Sequence, residues 1–446
     1  MIARVLQPSL EAGFPPGPRL PRTLQTAGFV FGGTRYLEWC RRRYGSTVTF
    51  RTLFDSPFVM VFDPVVVKQL FQGPPEQLHA GEANAMLGPI VGERSVLLLD
   101  DAEHLRHRRL MLPAFHGRRL DAYAEWMREA TDLEIASWPV GREFALLETM
   151  QSLTLRVIVR AVFGFAPGPE EEELRRRLRA MIEPLARTRG LLLRFLVSRL
   201  RGDRTSPLDF GSRRQAVDEL IYAEIARRRR EPALDERDDV FSALLVAEDE
   251  DGRRLSDREV RDELITLLLA GHETTATGLA WTFDLLLHSP AVLARAREGD
   301  ERYLDAVIKE ALRIRPVIPG VGRVVRGQPM PLDGYLVPPG IEINPSIRVI
   351  HRREDLFADA GAFRPERFLV ADPPDTYTWL PFGGGPRRCL GASFALMEMR
   401  IVLRRVLERT ALSPVSPRPE KVQLRVITQA PRRGVRVIQD RAPALA

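Results

Sequence analysis

The sequence predicts a mainly α-helical protein with small β-sheets. Three stretches with helical apolar periodicity support this prediction: 101–115, 258–288 and 301–315. The last of them should end before Pro316, because a proline disfavours helical backbone in the residue that precedes it. Strand-like content, rich in Val, Ile, Gly and Pro or alternating in polarity, is confined to short stretches: 50–62, 316–355 and 410–437.

The remaining segments complete this outline. Residues 174–230 are rich in Arg and Leu and are expected to be helical. Residues 355–380 have few periodic elements, which predicts an irregular but packed meander. A glycine cluster at 383–385 precedes an apolar helix that runs from about Gly391 to Glu408.

Length and composition are typical of an ordinary globular protein. The chain has 446 residues, 44% hydrophobic and 28% charged, and at roughly 150 residues per domain it could form up to three domains. It shows no internal repeat and no long Gly, Ser or Pro linker. The proline-rich leading segment 1–20 lacks the roughly 18 consecutive apolar residues of a membrane anchor, so none is expected. Two cysteines, Cys40 and Cys389, suit a reducing cytoplasm better than a disulfide-stapled secreted fold.

The net charge of +7 first suggests nucleic-acid binding, because clustered Lys and Arg displace counterions from phosphate backbones. Lysine occurs only at Lys68, Lys309 and Lys421, and the arginines are spread along the whole chain among 59 acidic residues. Such mixing is typical of a solvated surface. We therefore expect no nucleic-acid partner.

A glycine-rich loop around Cys389 carries the expected chemistry. It reads Phe382-Gly-Gly-Gly-Pro-Arg387-Arg-Cys389-Leu-Gly391. Glycines let backbone N–H groups approach the sulfur, and the following helix presents its positive N-terminus, so both favour the thiolate. A thiolate ligand pushes electron density onto haem iron and favours O–O cleavage. A lone cysteine beside a turn is more often simply buried, but the spacing of this string is long and specific.

The string Phe-x-x-Gly-x-Arg-x-Cys-x-Gly resembles the haem-binding signature of the cytochrome P-450 superfamily. The resemblance implies that Cys389 is the axial ligand of haem b (iron protoporphyrin IX), that Phe382 packs beside it, and that Arg387 pairs with a haem propionate. Gly391 closes the motif. Because the resemblance covers almost the whole chain, it implies one triangular domain, residues 1–446, without a fused reductase. Haem would lie between the long helix and the cysteine loop.

The middle of the long helix supports this interpretation independently. Small residues at Ala270 and Gly271 would leave room above a flat cofactor, and the Thr274 hydroxyl or water could fill a local break in the helical hydrogen bonds. Glu273 beside Thr274 places an acid next to an alcohol, which makes a proton relay. This segment is similar to the family's oxygen-activating motif, so the resemblance implies that both residues deliver protons. Without the downstream cysteine, a buried helix that tolerates threonine would be an equally good interpretation.

Glu310 and Arg313 are three residues apart on one helix face and can pair, although most such pairs are surface ion pairs of little energetic value. The family combines Glu-x-x-Arg with an arginine from the meander, and residues 363–368 resemble that partner segment. The resemblance implies that Glu310, Arg313 and Arg367 form a network that holds the haem-side core.

Haem propionates need cations inside the fold. His104 and Arg108 are four residues apart on one helix face and match the family's His-x-x-x-Arg propionate pair. Arg323 fits a further propionate arginine of the family. Each of the three could instead be an exposed charge on a helix or loop.

The resemblance implies a monooxygenase that inserts one atom of dioxygen into an apolar organic substrate, such as a fatty acid or terpenoid, and reduces the other atom to water. Two electrons must come from a separate ferredoxin or flavodoxin with its NAD(P)H reductase, because no flavin or iron–sulfur domain follows Glu408. A basic face could dock an acidic redox partner; its candidate arginines are Arg118, Arg119, Arg387 and Arg388. The protein is expected to be a monomer.

Two other functions stay open at this point. A peroxygenase or isomerase needs no electron donor, but such enzymes usually dispense with the acid and alcohol present in the long helix. A haem sensor or binding protein would use a histidine such as His104 or His107. Gly320 and Gly322, near a position that usually lines the substrate pocket, would leave room for a bulky molecule.

Overall fold

The structure is a computed structural model that describes residues 14–53, 57–115, 119–165, 168–186, 210–232, 234–425 and 427–440. Its helices up to the long central one are α1 (Arg22–Ala27), α2 (Gly33–Tyr44), α3 (Pro64–Phe71), α4 (Ala80–Ala83), α5 (Gly88–Val91), α6 (Asp101–Met111), α7 (Arg119–Ala136), α8 (Leu146–Phe163), α9 (Pro169–Ala186), α10 (Phe210–Arg228), α11 (Val240–Val246) and α12 (Asp257–Leu287). The later helices are α13 (Pro290–Ala296), α14 (Glu301–Ile314), α15 (Ile347–Ile350) and α16 (Ala392–Arg409). Helices therefore dominate the described chain, as predicted.

The strands are short: β1 (Thr47–Phe50), β2 (Phe58–Val61), β3 (Leu78–His79), β4 (Glu143–Ala145), β5 (Arg323–Val325), β6 (Met330–Leu332), β7 (Tyr335–Val337), β8 (Glu342–Pro345), β9 (Ala411–Pro414), β10 (Val422–Arg425), β11 (Thr428–Pro431) and β12 (Arg436–Asp440). The largest sheet has the order β1-β2-β8-β5-β3, and only its β2–β8 pairing is parallel. A three-stranded sheet, β4-β12-β9, joins the first third of the chain to its last described strands, and β6-β7 and β10-β11 are hairpins. The prediction of small sheets beside a helical body is confirmed.

The long helix α12 forms the centre of the main hydrophobic core. It begins with a capping box in which the Ser256 side chain binds the backbone of Glu259 and the Glu259 side chain binds back. Residues 260–268 and 275–286 are buried, as expected of a helix that is apolar on most of its circumference. Helix α12 packs against α8, α14 and α16. These neighbours fix its position relative to the loop that carries Cys389.

The predicted element ends agree closely with the structure. The helix expected at 258–288 spans Asp257–Leu287, and the helix expected at 301–315 ends at Ile314, two residues before Pro316. The stretch 50–62, predicted as one strand-like unit, instead contains the end of β1, a connection and all of β2.

Cys40 lies on α2 in a small core beneath β1 and is fully buried. Burial raises the pKa of its thiol to about 11. None of the helices in the described ranges combines the length and apolar character needed to cross a membrane.

Candidate active site

The loop before α16 has a backbone shape that only glycine adopts easily. Gly383 and Gly385 have φ of +67° and +62°, in the left-handed region where side chains are disfavoured. A Cβ on Gly385 would lie 2.1 Å from the backbone oxygen of Phe71 at the end of α3, so α3 closes directly over the loop. The loop is completed by the Cys389 N–H, which donates to the Phe382 carbonyl at 3.0 Å. These constraints fix where the Cys389 side chain leaves the loop.

The surroundings of Cys389 act on its thiol in opposite directions. Burial, the largest effect, raises its pKa, whereas the Gly391 N–H bonded to the sulfur and the charges of Arg108 and Arg388 lower it. The side chain has accessible surface, yet dense protein surrounds it at longer range, so burial dominates and the pKa is raised overall. The N–H contact thus favours the thiolate, as expected of the loop, while burial opposes it and sets the net direction. A metal cation at the sulfur would supply the compensating charge.

Phe382 packs against the main core, with its ring 5.9 Å from that of Trp379. The Trp379 indole N–H donates to the Lys309 carbonyl of α14 at 3.0 Å. The residues that precede the cysteine loop are thus attached to α14. The packing of Phe382 beside the Cys389 side chain stays a prediction.

Four side chains predicted to bind propionates influence one another electrostatically near Cys389. His104 on α6 is buried, and its pKa is lowered to about 3, first by burial and then by Arg387, Arg108 and Arg323. Burial is also the main cause that lowers the pKa of Arg323 and of Arg387, each to about 10. The structure therefore brings together all four residues that the sequence nominated.

This cluster has more positive than negative charge. Arg387 donates to the Asp100 carboxylate and to the carbonyls of Val96 and Leu99. The Arg323 guanidinium donates to the carbonyl of its neighbour Gly322 at 2.8 Å and lies 5.2 Å from the Phe71 ring centre. With His104 neutral, three arginines share this region with the carboxylates of Asp100 and Asp101, both of which act on Arg387. Buried cations require anionic partners, so this donor set fits the two carboxylates of a porphyrin.

The segment that resembles the family's oxygen-activating motif lies where the burial of α12 is interrupted. Ala270 is exposed between buried turns of the helix. The Thr274 hydroxyl donates to the Ala270 carbonyl at 2.6 Å, but α12 continues without interruption. The helix therefore does not break at this point, and the Thr274 hydroxyl bonds to the Ala270 carbonyl within a continuous α12. Gly271 faces α8, since a Cβ there would lie 3.0 Å from the Ile158 side chain.

Glu273 points toward α8 and is held by a residue that the sequence did not nominate. The Gln151 amide of α8 donates to the Glu273 carboxylate at 2.6 Å. Burial raises the pKa of Glu273, while Gln151 and the charge of Arg425 lower it. Next to it, His272 is buried, and its pKa is lowered to about 4, first by burial and then by Arg179. Gln151 carries no local motif, so only the packing of α8 on α12 could have revealed it.

The predicted ion network is present; Glu310 and Arg313 are fully buried, and Arg367 is partly exposed. Glu310 accepts two hydrogen bonds from Arg313, at 2.7 and 2.8 Å, and one from Arg367 at 3.1 Å. The backbone N–H of Arg364 adds a fourth at 3.0 Å. Arg313 also donates to the carbonyls of His351, Ala360 and Ala362. The network ties α14 to the meander that leads into the cysteine loop.

His351 extends this network to the loop. Its Nδ1 lies 3.0 Å from the Arg313 carbonyl, and its Nε2 accepts the Leu380 N–H at 2.8 Å. This pairing assigns the ring proton to Nδ1. The pKa of His351 is lowered to about 3, mainly by burial and next by the charge of Arg313. A neutral imidazole therefore holds the chain two residues before Phe382.

Both ring nitrogens of His107 are already engaged. Nδ1 lies 2.7 Å from Glu263 and Nε2 lies 3.2 Å from Glu259, both on α12. The two carboxylates raise the pKa of His107 against the opposing effect of burial, which is the largest single cause. A histidine held in this way offers no free nitrogen to iron, which argues against its use in a haem sensor.

The expectation that Gly320 and Gly322 leave room for a bulky substrate is wrong. A Cβ on Gly320 would lie 2.2 Å from the Asn344 side chain, and a Cβ on Gly322 would lie 2.2 Å from the Glu342 side chain. Of the expected docking arginines, Arg388 is exposed and Arg387 is turned inward to Asp100. Arg118 and the side chain of Arg119 lie outside the described residues.

Comparisons with known proteins agree with one another. The sequence model of the family "Cytochrome P450" matches residues 15–435. Cytochrome P450 135B1 of Mycobacterium tuberculosis is 42% identical over 442 residues, covering 95% of this chain and 91% of that protein. Cytochrome P450 137 of the same species is 40% identical over 436 residues, with the same coverage of 95% and 91%. The solved structure of retinoic acid-bound cyanobacterial CYP120A1 superposes with a TM-score of 0.76 at 22% identity, covering 96% of this chain and 99% of that one, and so shares the fold.

Proposed function

Since the chain belongs to the cytochrome P450 family and is a haem-dependent monooxygenase, we propose that it hydroxylates or epoxidises an apolar organic molecule, such as a fatty acid or terpenoid. Two electrons would come from a separate ferredoxin or flavodoxin with its NAD(P)H reductase. We infer haem b as the form of the cofactor, the cytoplasm as the location and a monomer as the working unit.

The observation that carries this proposal is the cysteine loop next to a set of arginines whose positive charge exceeds the negative charge of the neighbouring carboxylates. Cys389 would bind the iron, and Arg108, Arg323 and Arg387 would pair with the propionates. Haem held by a thiolate supplies the chemistry that activates dioxygen and cleaves its O–O bond. His104, kept neutral by burial, would add a hydrogen bond rather than a charge.

The chain's own contribution to the reaction is proton delivery. We propose that the Thr274 hydroxyl, now bonded to the Ala270 carbonyl, turns to donate toward the cofactor side, and that Glu273 resupplies its proton. Burial raises the pKa of Glu273, which is the direction that favours the protonated acid a proton donor needs. Gln151 would act as a positioning residue that keeps Glu273 turned toward α8 between proton transfers.

Ligation is tested by the carbon-monoxide difference spectrum of the reduced protein, since thiolate and imidazole ligands give different Soret bands. The wild-type protein should give the thiolate band, and Cys389→Ala should abolish it. Cys40→Ala is the matched control, because Cys40 is buried in a separate core, and it should keep the band. A Soret band unaffected by Cys389→Ala would contradict the assignment of the ligand.

The proton relay is tested by the fate of the electrons supplied. Thr274→Ala should keep haem but divert reducing equivalents from product to hydrogen peroxide, because the proton donor is lost. Thr282→Ala is the matched control: its hydroxyl makes the same type of bond, to the Gly278 carbonyl at 2.8 Å, in a buried turn of α12. Equal coupling in both variants would contradict the relay.

The substrate class is tested by spectral titration with fatty acids, terpenoids, steroids and macrolides. CYP120A1, similar in fold, binds retinoic acid, an apolar isoprenoid acid, which supports including such acids in the screen. A bound compound should then be oxidised with one oxygen atom from labelled dioxygen, and only when an electron donor is present. Turnover with peroxide alone would favour a peroxygenase instead.

The redox partner is tested by ionic strength. We expect an acidic partner to reduce the protein more slowly as salt rises, because screening weakens attraction between exposed charges. At a given salt concentration, Arg388→Glu should be reduced more slowly than wild type. Arg128→Glu, at an exposed arginine on α7, should be reduced at the wild-type rate. Salt-independent reduction would remove the basic docking face from the proposal.

A further inference from the structure

The positive charge of the chain is concentrated at its beginning. Residues 1–53 contain eight arginines and two glutamates, a net charge of +6 out of the +7 of the whole chain. The remaining 393 residues are close to neutral overall. The interpretation that the arginines are evenly mixed with acids is therefore wrong for this segment.

The arginines of this segment are largely unpaired. Among the described residues 14–53, Glu38 is the only acidic side chain, and it pairs with Arg41 at 2.8 Å and Arg42 at 2.9 Å. Five other arginines form no ion pair with any residue that the structure describes: Arg19, Arg22, Arg35, Arg43 and Arg51. A surface this poor in counter-charges favours an anionic partner.

Large apolar side chains are exposed within the same segment. The wide helical turn Gly28–Gly32 between α1 and α2 carries Phe31, whose exposure is 87%, and Val30 at 45%. Leu24, on α1, is 55% exposed. Leu53 is also exposed, and its N–H donates to the Thr26 hydroxyl of α1 at 2.9 Å, which places it beside this helix. We call Leu24, Val30, Phe31 and Leu53 the apolar tip.

The apolar tip is held rigidly from beneath. Phe29, in the same turn, packs its ring 6.1 Å from that of Phe50 in β1 and 5.8 Å from that of Phe58 in β2. Gln25 of α1 accepts the Arg51 N–H at 2.9 Å, which attaches the helix to the end of β1. The exposed side chains therefore project from a fixed base. Their exposure requires no opening of the fold.

We propose that the apolar tip and its arginines form a peripheral docking surface for an anionic lipid bilayer. The apolar side chains would enter the boundary between headgroups and acyl chains, and the unpaired arginines would bind lipid phosphates. A nucleic acid would leave the apolar side chains exposed to water, so the bilayer accounts for both observations. The surface is distinct from the expected cofactor site, and the proposal does not depend on the substrate.

The test is sedimentation of the holoprotein with vesicles of phosphatidylcholine alone or mixed with phosphatidylglycerol. The protein should bind the anionic vesicles, and binding should weaken with salt. Phe31→Asp should lower the partition coefficient about tenfold or more, because it removes buried apolar area and adds a repelled charge. Arg35→Glu changes two units of charge and should lower it about 25-fold, at about fivefold for each unit. Leu133→Asp, at a similarly exposed leucine on α7, is the matched control and should bind like wild type.

Phe31→Trp adds a readout that a merely folded protein would not give. Its fluorescence should shift to shorter wavelength when anionic vesicles are added, because the indole leaves water. The proposal would be overturned if Phe31→Asp bound anionic vesicles as well as wild type does, or if wild type bound neutral and anionic vesicles equally. The proposal would also be overturned if duplex DNA displaced wild type and Phe31→Asp from the vesicles equally, because that result indicates a general polyanion site. Dimerisation without vesicles that Phe31→Asp abolishes would assign the tip to a second copy of the chain.

Discussion

The neutral His351 that joins Arg313 to Leu380 predicts a measurable loss of stability in acid. In the unfolded chain a histidine has a pKa near 6.5, whereas burial and Arg313 lower the pKa of folded His351 to about 3. Between these pH values the unfolded state therefore binds a proton that the folded state does not bind. The contribution of neutral His351 to the free energy of unfolding is fully present above pH 6.5 and is lost as the pH falls from 6.5 toward 3.

The magnitude follows from the two pKa values. Between pH 8 and pH 5, the unfolded histidine becomes almost fully protonated while folded His351 stays neutral. The shift of about 1.5 pH units below the unfolded pKa corresponds to about 2 kcal/mol of lost folding free energy. His351→Gln keeps an amide that can donate to the Arg313 carbonyl and accept from the Leu380 N–H, but it does not titrate. It should therefore lose about 2 kcal/mol less than wild type over this range.

The assay is urea unfolding followed by far-ultraviolet circular dichroism at pH 8, 6.5 and 5. Comparing the two proteins at each pH cancels the other titrating groups. His351→Leu provides a second comparison, since it leaves the Leu380 N–H and the Arg313 carbonyl without their partner and should be less stable at every pH by about 1–3 kcal/mol per unsatisfied group. If wild type and His351→Gln lose the same free energy between pH 8 and pH 5, the neutral imidazole and its assigned bonds are refuted.

Three further predictions concern the network, the loop and the cofactor cations. Glu310→Gln should lower the free energy of unfolding by about 3–5 kcal/mol, because it leaves buried guanidinium charge uncompensated; Glu250→Gln, at an 87% exposed side chain, should change it by less than about 1 kcal/mol, and equal effects in urea titrations would contradict this. Gly385→Ala should destabilise the loop and speed loss of haem, since its Cβ would meet the α3 backbone at 2.1 Å; Gly383→Ala, at a similar φ but with open space, should cost only about 1–2 kcal/mol. Arg323→Leu should speed transfer of haem to apomyoglobin roughly tenfold or more through loss of a charge-assisted bond, and an unchanged rate would remove this residue from the cofactor's partners.

Much of the architecture follows from local sequence signals. Pro316 marks the end of α14, and the apolar run with a capping box defines α12, because proline and capping chemistry act within a few residues. The cysteine loop is recognisable since its glycines and Cys389 are contiguous. Glu310 and Arg313 could be paired from their spacing on one helix face. Confirmation of the family rests on the comparisons over nearly the whole chain.

Other features depend on contacts between distant segments and escaped the sequence. Gln151 reaches Glu273 only because α8 packs on α12, and the bond of His351 to Leu380 spans the folded meander. The opposing effect of burial on the pKa of the Cys389 thiol could not be predicted, because burial is a property of the whole fold, whereas N–H donors are visible locally. Gly322 lacks a side chain because β8 packs there rather than a substrate, a distinction that no local pattern makes.

Because Cys40 is fully buried, the number of cysteines that an alkylating reagent modifies should report how many chains lack iron at Cys389. Its side chain has no accessible surface, so an alkylating reagent does not reach its sulfur in the folded protein. The other cysteine in the sequence is Cys389, which has accessible surface. Prolonged treatment of the native protein with a maleimide should therefore add one adduct to each metal-free chain and none where the sulfur is coordinated. Intact mass spectrometry would then read cofactor stoichiometry directly, without an extinction coefficient.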